Sequence, residues 1–310
     1  MWTVTIGSLG GVSQSVANQV QAVAQAAANY WNFYIDASLA NIEIAISFAS
    51  LPLSYSDSAT TFYFRNSAGG FDYYQSGAQV EITTGVDPNG AAPDITLVID
   101  ADTIAANEFY YGAPSDGYTS TPPSTQIDLF TVVLHEIAHG LGVRTFIGSS
   151  PTHRTSFDEF VVHNAEGYQF DLGGGYSVPL DDLIEFTRSG LLGAFLQPGG
   201  TYFIAESDTS ILSRMGIPLH APTAGDDTLY GYAGGALSYV DLLAVNDYYN
   251  GLFNSFGEVN GGDGDDTILG GSSLNGDDGD DYIVINSVSP SFADGGFGND
   301  KILSKLDPRL

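Results

Sequence analysis

Residues 129–142 read Leu129-Phe130-Thr131-Val132-Val133-Leu134-His135-Glu136-Ile137-Ala138-His139-Gly140-Leu141-Gly142: an apolar run, then H-E-x-x-H, then two glycines. Residues four apart share one face of a helix, so His135 and His139 can both reach one zinc ion, about 2 Å from each nitrogen. Glu136 lies one position on, where its carboxylate reaches a water on the ion rather than the ion itself. Zinc lowers the pKa of such a water to about 7, and a neighbouring carboxylate can take its proton. The pattern therefore assigns His135 and His139 as zinc ligands and Glu136 as the general base of a hydrolysis. Gly140 and Gly142 end the helix, as glycine commonly does, and let the chain turn sharply beneath the metal. Upstream, Thr125 and Asp128 have the spacing of a capping box that opens the helix.

Working towards the N-terminus, the chain reads as mixed α and β. Val16, Val20, Val23, Ala27, Trp31 and Tyr34 recur at helical spacing over residues 15–34. Ile42, Ile44, Ile46 and Phe48 alternate as a half-buried strand does. Thr61–Phe64, Gln79–Thr83 and Ile95–Asp100 are further strand candidates.

Composition restricts the partners. The 310 residues hold 8 Lys or Arg against 37 Asp or Glu, a formal net charge of −29. Such a surface repels nucleic acid and anionic lipid and attracts divalent cations. The 43% apolar content is that of a globular chain. There is no cysteine, so neither disulfides nor thiolate-bound zinc contribute. No apolar run approaches the roughly 20 residues that cross a bilayer. Met1 to Ser13 contains no basic residue and no long apolar stretch, and so does not read as a secretory leader.

The composition shifts near Leu219–Thr223. Residues 1–220 carry 22 acids and 5 bases, and residues 221–310 carry 15 acids and 3 bases in under half the length. Glycine crowds the second part, which repeats the nine-residue pattern G-G-x-G-x-D-x-U-x, where U is a large aliphatic residue. Gly261–Leu269 and Gly295–Leu303 fit throughout, Gly276–Val284 misses one glycine, and Pro222–Tyr230 keeps the later half. Ala236–Phe256 fits no repeat and reads as an insertion with its own apolar face. Calcium takes six to eight oxygens, more than one turn supplies, so neighbouring turns must share an ion. Asp266, Asp281 and Asp300 match the principal aspartate of the pattern, Asp227 matches it in the weak repeat, and Asp263 lies within the first full one. The stretch from Asp263 to Asp281 holds no Lys or Arg, so without cations it repels itself.

The segment His135 to Gly142 resembles the helix and glycine turn of the metzincin zinc peptidases, which include the serralysins and leishmanolysin. The preceding order, a long helix, alternating strands and a strand at Ile95–Asp100, is similar to theirs. The resemblance implies that this strand is an edge to which an extended peptide adds antiparallel. The metzincin third ligand, a His three residues after the glycine, falls here on Thr145. Val178-Pro179-Leu180, Glu185-Phe186, Leu191-Leu192, Pro198-Gly199 and Ile211-Leu212 with Gly216 are similar to a stretch of RTX-bearing zinc peptidases with a late third ligand. There V-P-L is followed by H-F or H-W, L-M, a P-G turn and I-L-x-x-x-G. The resemblance implies Glu185 as third zinc ligand and Leu192 at the family's methionine, while Asp158 and His153 lie close enough to the zinc helix in sequence to compete as ligands. His163 and His220 read as surface or packing residues. The nonapeptides resemble the calcium-binding RTX repeats of proteins exported by bacterial type I secretion.

The expectation is thus an α+β chain: a metzincin-like zinc peptidase domain with a twisted mixed sheet over residues 1–220, then a short RTX-type parallel β-roll over 221–310. Its cofactors are Zn²⁺ and Ca²⁺. It is a secreted monomer acting on protein or peptide, exported by type I secretion, with no nucleic-acid partner and no membrane insertion. The alternative is a non-catalytic, calcium-dependent adhesion or surface-layer module with a vestigial zinc site.

Overall fold

The computed structural model describes residues 1–51, 56–112, 122–165, 167–173, 176–181, 185–186, 206–230, 239–251, 258–271, 273–285 and 292–304. Contacts divide the chain into two units: Met1–Asp171 with Ser177–Ile204 and Arg214–Pro218, and Leu219–Leu310 with Leu172–Tyr176 and Ala205–Ser213.

The first unit begins with β1 (Trp2–Ile6), α1 (Gln14–Trp31), β2 (Ile42–Ala49), β3 (Ser56–Ala59), β4 (Phe62–Ala68), β5 (Phe71–Ser76) and α2 (Gly77–Thr84). It continues through β6 (Ile95–Asp100), α3 (Ala101–Ala105), β7 (Phe109–Tyr110), β8 (Ile127–Asp128), α4 (Leu129–Gly140) and β9 (His153–Thr155). After a 3₁₀ turn at Asp158–Phe160 come β10 (Val161–Asn164), β11 (Gly167–Gly173), β12 (Tyr176–Asp181) and β13 (Glu185–Phe186). The main sheet is mixed, in the order β1-β2-β6-β3. β1, β2 and β6 run parallel, and β3 is antiparallel to β6.

Three expectations are corrected. Ile95–Asp100 is a strand but not an edge, because β6 lies between β2 and β3. The edge on that side is β3, four small or acidic residues that carry no hydrophobic signature. Gln79–Thr83 is helical, because Ser76 caps α2 by accepting from Gln79 N at 3.1 Å and Gly85 closes it at φ 71°. Its polar Gln79 and Glu81 are buried with specific partners, which a period-2 reading takes for strand alternation. Thr125 does not open the histidine helix, because Ile127-Asp128 first pair with β7 and Asp128 is the N-cap.

Helix α4 is central. Every residue from Leu129 to Ala138 is buried. The indole N–H of Trp31 on α1 donates to Leu134 O at 3.1 Å, and the Tyr30 and Phe130 rings meet edge to face at 5.7 Å. At its other end α4 lies close against β6. A Cβ on Gly140 would stand 2.6 Å from Cγ2 of Ile95, so any larger residue would force Ile95 to shift. No helix among the described residues is long and apolar enough to cross a membrane.

After α5 (Glu206–Arg214), the second unit alternates between two all-parallel sheets. One contains β14 (Thr228–Tyr230), β16 (Tyr248–Asn250), β18 (Thr267–Leu269), β20 (Tyr282–Ile285) and β22 (Lys301–Ser304). The other contains β15 (Tyr239–Asp241), β17 (Glu258–Asp263), β19 (Ser273–Asp278) and β21 (Phe292–Asp294). The chain therefore winds as a coil. Leu229, Tyr249, Ile268 and Ile283 from the first sheet share a buried core with Val240, Val259 and Leu274 from the second. The aliphatic positions of the repeats are in register, Tyr249 with Ile268, Ile268 with Ile283, and Ile283 with Ile302.

The expected insertion at Ala236–Phe256 is also corrected: its described part supplies β15 and β16 and is a turn of the coil. It escapes the pattern because Leu243 and Val245, at φ 79° and 73°, stand where other turns place Gly262 and Gly264, at φ 96° and 132°. Left-handed backbone at leucine and valine is costly, and glycine is the usual occupant.

Gly140→Ala should destabilise the first unit by about 1–3 kcal/mol through overpacking against Ile95. Chemical denaturation of the full chain checks this, and an unshifted midpoint would show that Ile95 yields freely.

Candidate metal centres

The turn after α4 fixes the histidine pair. Gly142, at φ 105°, reverses the chain, and Val143 N donates to Ala138 O at 3.1 Å. This brings Val143 O to 2.7 Å from Nδ1 of His139. A carbonyl only accepts, so Nδ1 carries the proton and Nε2 presents its lone pair. That Nε2 lies 3.0 Å from Nε2 of His135, and the rings stand at 88°. Two nitrogens bound tetrahedrally to one zinc at about 2.0 Å would be about 3.3 Å apart, so the pair fits a shared ion. Burial, then the neighbouring His135, lowers the pKa of His139 from 6.5 to about 4, against an opposing pull from Glu136. The ring is neutral at neutral pH, the form that binds metal.

Glu136 is buried beside this pair, and its Oε1 accepts from Ser56 Oγ at 2.7 Å. The edge strand β3 thus holds the carboxylate in place. The sequence offered no signal for Ser56, whose role depends on a contact across 80 positions.

The expected third ligands fare differently. Asp158 is buried, but its carboxylate organises the loop after α4. Oδ1 accepts from Thr145 Oγ1 at 2.5 Å, and Oδ2 accepts from Phe146 N at 2.9 Å and Thr155 N at 2.8 Å. Thr145 is thereby locked to Asp158. His153 is exposed on β9, its ring 5.1 Å from Tyr74. His163 packs on Tyr168 at 4.4 Å. The backbone of Glu185 pairs with Asp181, while its side chain and Leu192 lie outside the described residues. Among the described residues, no third His, Asp or Glu joins His135 and His139 in a ligand group.

A methionine does approach the turn. A Cβ on Gly142 would lie 3.4 Å from Cε of Met215, and equally from Gln79 Oε1 and Ser76 Oγ. Fully buried Gln79 donates to Met215 O at 2.7 Å and accepts from Ser156 Oγ at 2.7 Å. Neither Gln79 nor Met215 stood out in the sequence, since each acts through partners distant along the chain.

In the coil the aspartates of the repeats form a ladder. Asp247 Oδ1 accepts from Asp227 N at 2.7 Å, Asp266 Oδ1 from Asp247 N at 2.8 Å, Asp281 Oδ1 from Asp266 N at 2.9 Å, and Asp300 Oδ1 from Asp281 N at 3.1 Å. The second oxygens of Asp247, Asp266 and Asp281 are buried without a hydrogen-bond partner. A Cβ on Gly261 would collide with Asp266 Oδ2 and Gly276 O, and one on Gly276 with Asp281 Oδ2 and Gly295 O. Each absent side chain leaves a cradle lined by a carboxylate and a carbonyl oxygen from adjacent turns. Oxygen donors shared between turns fit calcium.

The structure thus brings Asp227, Asp266, Asp281 and Asp300 into one ladder. Asp263 is exposed outside it. Asp227 ends it, its carboxylate taken up by Thr223 N and Thr223 Oγ1. Asp247 was missed, although Asn246-Asp247-Tyr248-Tyr249 has the polar-Asp-x-large order of Asn299-Asp300-Lys301-Ile302. Burial raises Asp266 from 3.8 to about 7, with the charges of Asp281, Asp247 and Asp265 adding to it against the Asp247 N–H. Burial likewise raises Asp247 and Asp281.

No family model matches the chain, and no curated protein and no solved structure matches it.

The raised pKa of Asp266 gives a stability test in chelator. Its contribution is fully present below 3.8, the ordinary value, and is lost as the pH rises through about 7. Thermal melts of the chelated full chain should show the second unit weakening over that window, and calcium should abolish the trend. A chelated second unit as stable above the window as below it would contradict this.

Proposed function

We propose that the chain is a secreted zinc-dependent endopeptidase of metzincin-like type, with a C-terminal RTX-type β-roll that folds on binding calcium. The observation that carries the reading is the pair of Nε2 atoms 3.0 Å apart, with the His139 tautomer set by Val143 O and Glu136 adjoining. His135, His139 and a third side chain would hold zinc. Glu185 is the donor proposed, on its likeness to the late third ligand. When bound, zinc supplies the Lewis acidity that polarises a peptide carbonyl and acidifies water. Glu136, fixed at Oε1 by Ser56, accepts the proton of the attacking water. The edge strand β3 offers backbone groups to an extended substrate, and addition to a sheet edge reads side chains weakly.

The buried, unpartnered oxygens of the aspartate ladder support calcium as the second cofactor. At submicromolar intracellular calcium the acidic turns repel one another, and outside the cell calcium neutralises them. This agrees with export of an unfolded chain by type I secretion. The non-catalytic adhesion reading rests on a specific observation too: no third ligand joins the histidines among the described residues.

Glu136→Gln should retain zinc and lose at least about 100-fold in the rate of casein digestion, since proton transfer is removed and the ligands are kept. Zinc analysis with a proteolysis assay reads both quantities, and near-normal activity would rule out the mechanism. Glu185→Ala should lose zinc while His153→Ala keeps it. An inactive wild type lacking zinc would favour the adhesion reading.

A further inference from the structure

We infer that Glu81, Asp87 and Asp94 form a calcium site in the first unit, separate from the histidine pair and the aspartate ladder. Each offers a carboxylate oxygen, and these oxygens lie within 4.8 Å of one another. Glu81 on α2 and Asp94 at the entry to β6 are 5% and 3% exposed, whereas Asp87, in the loop between them, is open to solvent. Three like charges at this range repel strongly where water is excluded. Among the described residues, no Lys or Arg is ion-paired with any of them.

The carboxylates are held in this arrangement from outside. Glu81 Oε1 accepts from Asn41 N at 2.8 Å, and Asp94 Oδ2 accepts from Glu43 N at 2.8 Å. Asp87 Oδ1 accepts from Asn89 N at 3.0 Å and Gly90 N at 2.7 Å. These bonds use one oxygen of each group. The remaining oxygen of Asp94, Oδ1, is buried and has no hydrogen-bond partner. A buried carboxylate oxygen beside two further carboxylates lacks a positive charge. Burial pushes Asp94 up to about 6, with the charges of Glu81 and Asp87 adding to it against the Glu43 N–H.

The donors are all oxygen, with neither imidazole nor thiolate, which selects a hard cation over zinc. Exposure at Asp87 leaves room for waters to complete the six to eight ligands of calcium. An ion here would tie the loop from Gly85 to Asp94 to both α2 and β6. Ile95, next along the chain, is the residue packed against Gly140 of the histidine helix. The site would therefore steady the start of the strand on which that helix rests. This inference does not depend on the peptidase reading.

The test is hydrogen exchange over residues 81–94 in the full chain, with and without calcium, alongside the number of calcium ions bound per chain. Calcium should slow exchange in this segment at least about tenfold in the wild type and in Asp266→Asn, a variant of the ladder alone. Asp94→Asn and Asp87→Asn should each lose that protection and one bound calcium. Asp87 is exposed, so its variant keeps the fold even where Asp94→Asn does not. Exchange in the wild type that ignores calcium, or an Asp87→Asn chain that binds as many ions as the wild type, would overturn the inference.

Discussion

The hydrogen bond between His139 Nδ1 and Val143 O ties the histidine site to the fold. It exists only because the chain reverses at Gly142 in the left-handed region, which brings the carbonyl back under the ring. The bond fixes which nitrogen carries the proton, and so directs the other towards His135. Helix α4 must in turn be immobile for the geometry to persist. Its fixity comes from burial along its length, from the Trp31 indole on the Leu134 carbonyl, and from the close contact of Gly140 with Ile95. A few glycines and one buried indole thus set the aim of two imidazoles.

Acid crowding is the second constraint, and the two units meet it in related ways. In the coil Asp247, Asp266 and Asp281 each give one oxygen to the N–H of an aspartate in the neighbouring turn and keep the other buried. In the first unit Glu81, Asp87 and Asp94 also give one oxygen each to backbone N–H groups, and the three carboxylates lie together. Backbone donors hold the carboxylates together against their repulsion, at a net charge of −29 for the chain. Both arrangements gather carboxylate oxygens in one place.

Buried polar side chains do much of the remaining organisation of the first unit. Asp158 gathers Thr145, Phe146 and Thr155 around one carboxylate, so Thr145 serves the loop. Gln79 links α2 to Met215 and Ser156 with both ends of its amide satisfied. Satisfied networks of this kind rigidify a core, and losing one partner leaves another buried and unpaired.

Several features were legible in the order of residues because they depend on local periodicity. Spacing of four put His135 and His139 on one face, alternation marked β2, and the nonapeptides placed Asp266, Asp281 and Asp300 at equivalent positions. Tertiary structure decided what depends on distant neighbours. β3 carries no hydrophobic pattern, yet it is an edge strand, and its Ser56 holds Glu136. Residues 77–84 alternate like a strand but are capped at both ends and buried through polar partners, so they coil. The turn containing Asp247 lacks the glycines of its neighbours, yet joins their ladder because register in a parallel sheet propagates from one turn to the next. Glu81, Asp87 and Asp94 are unremarkable in sequence and converge only when the loop from α2 returns the chain to β6. Periodicity along a chain reports which face a residue occupies, and folding alone determines what that face meets.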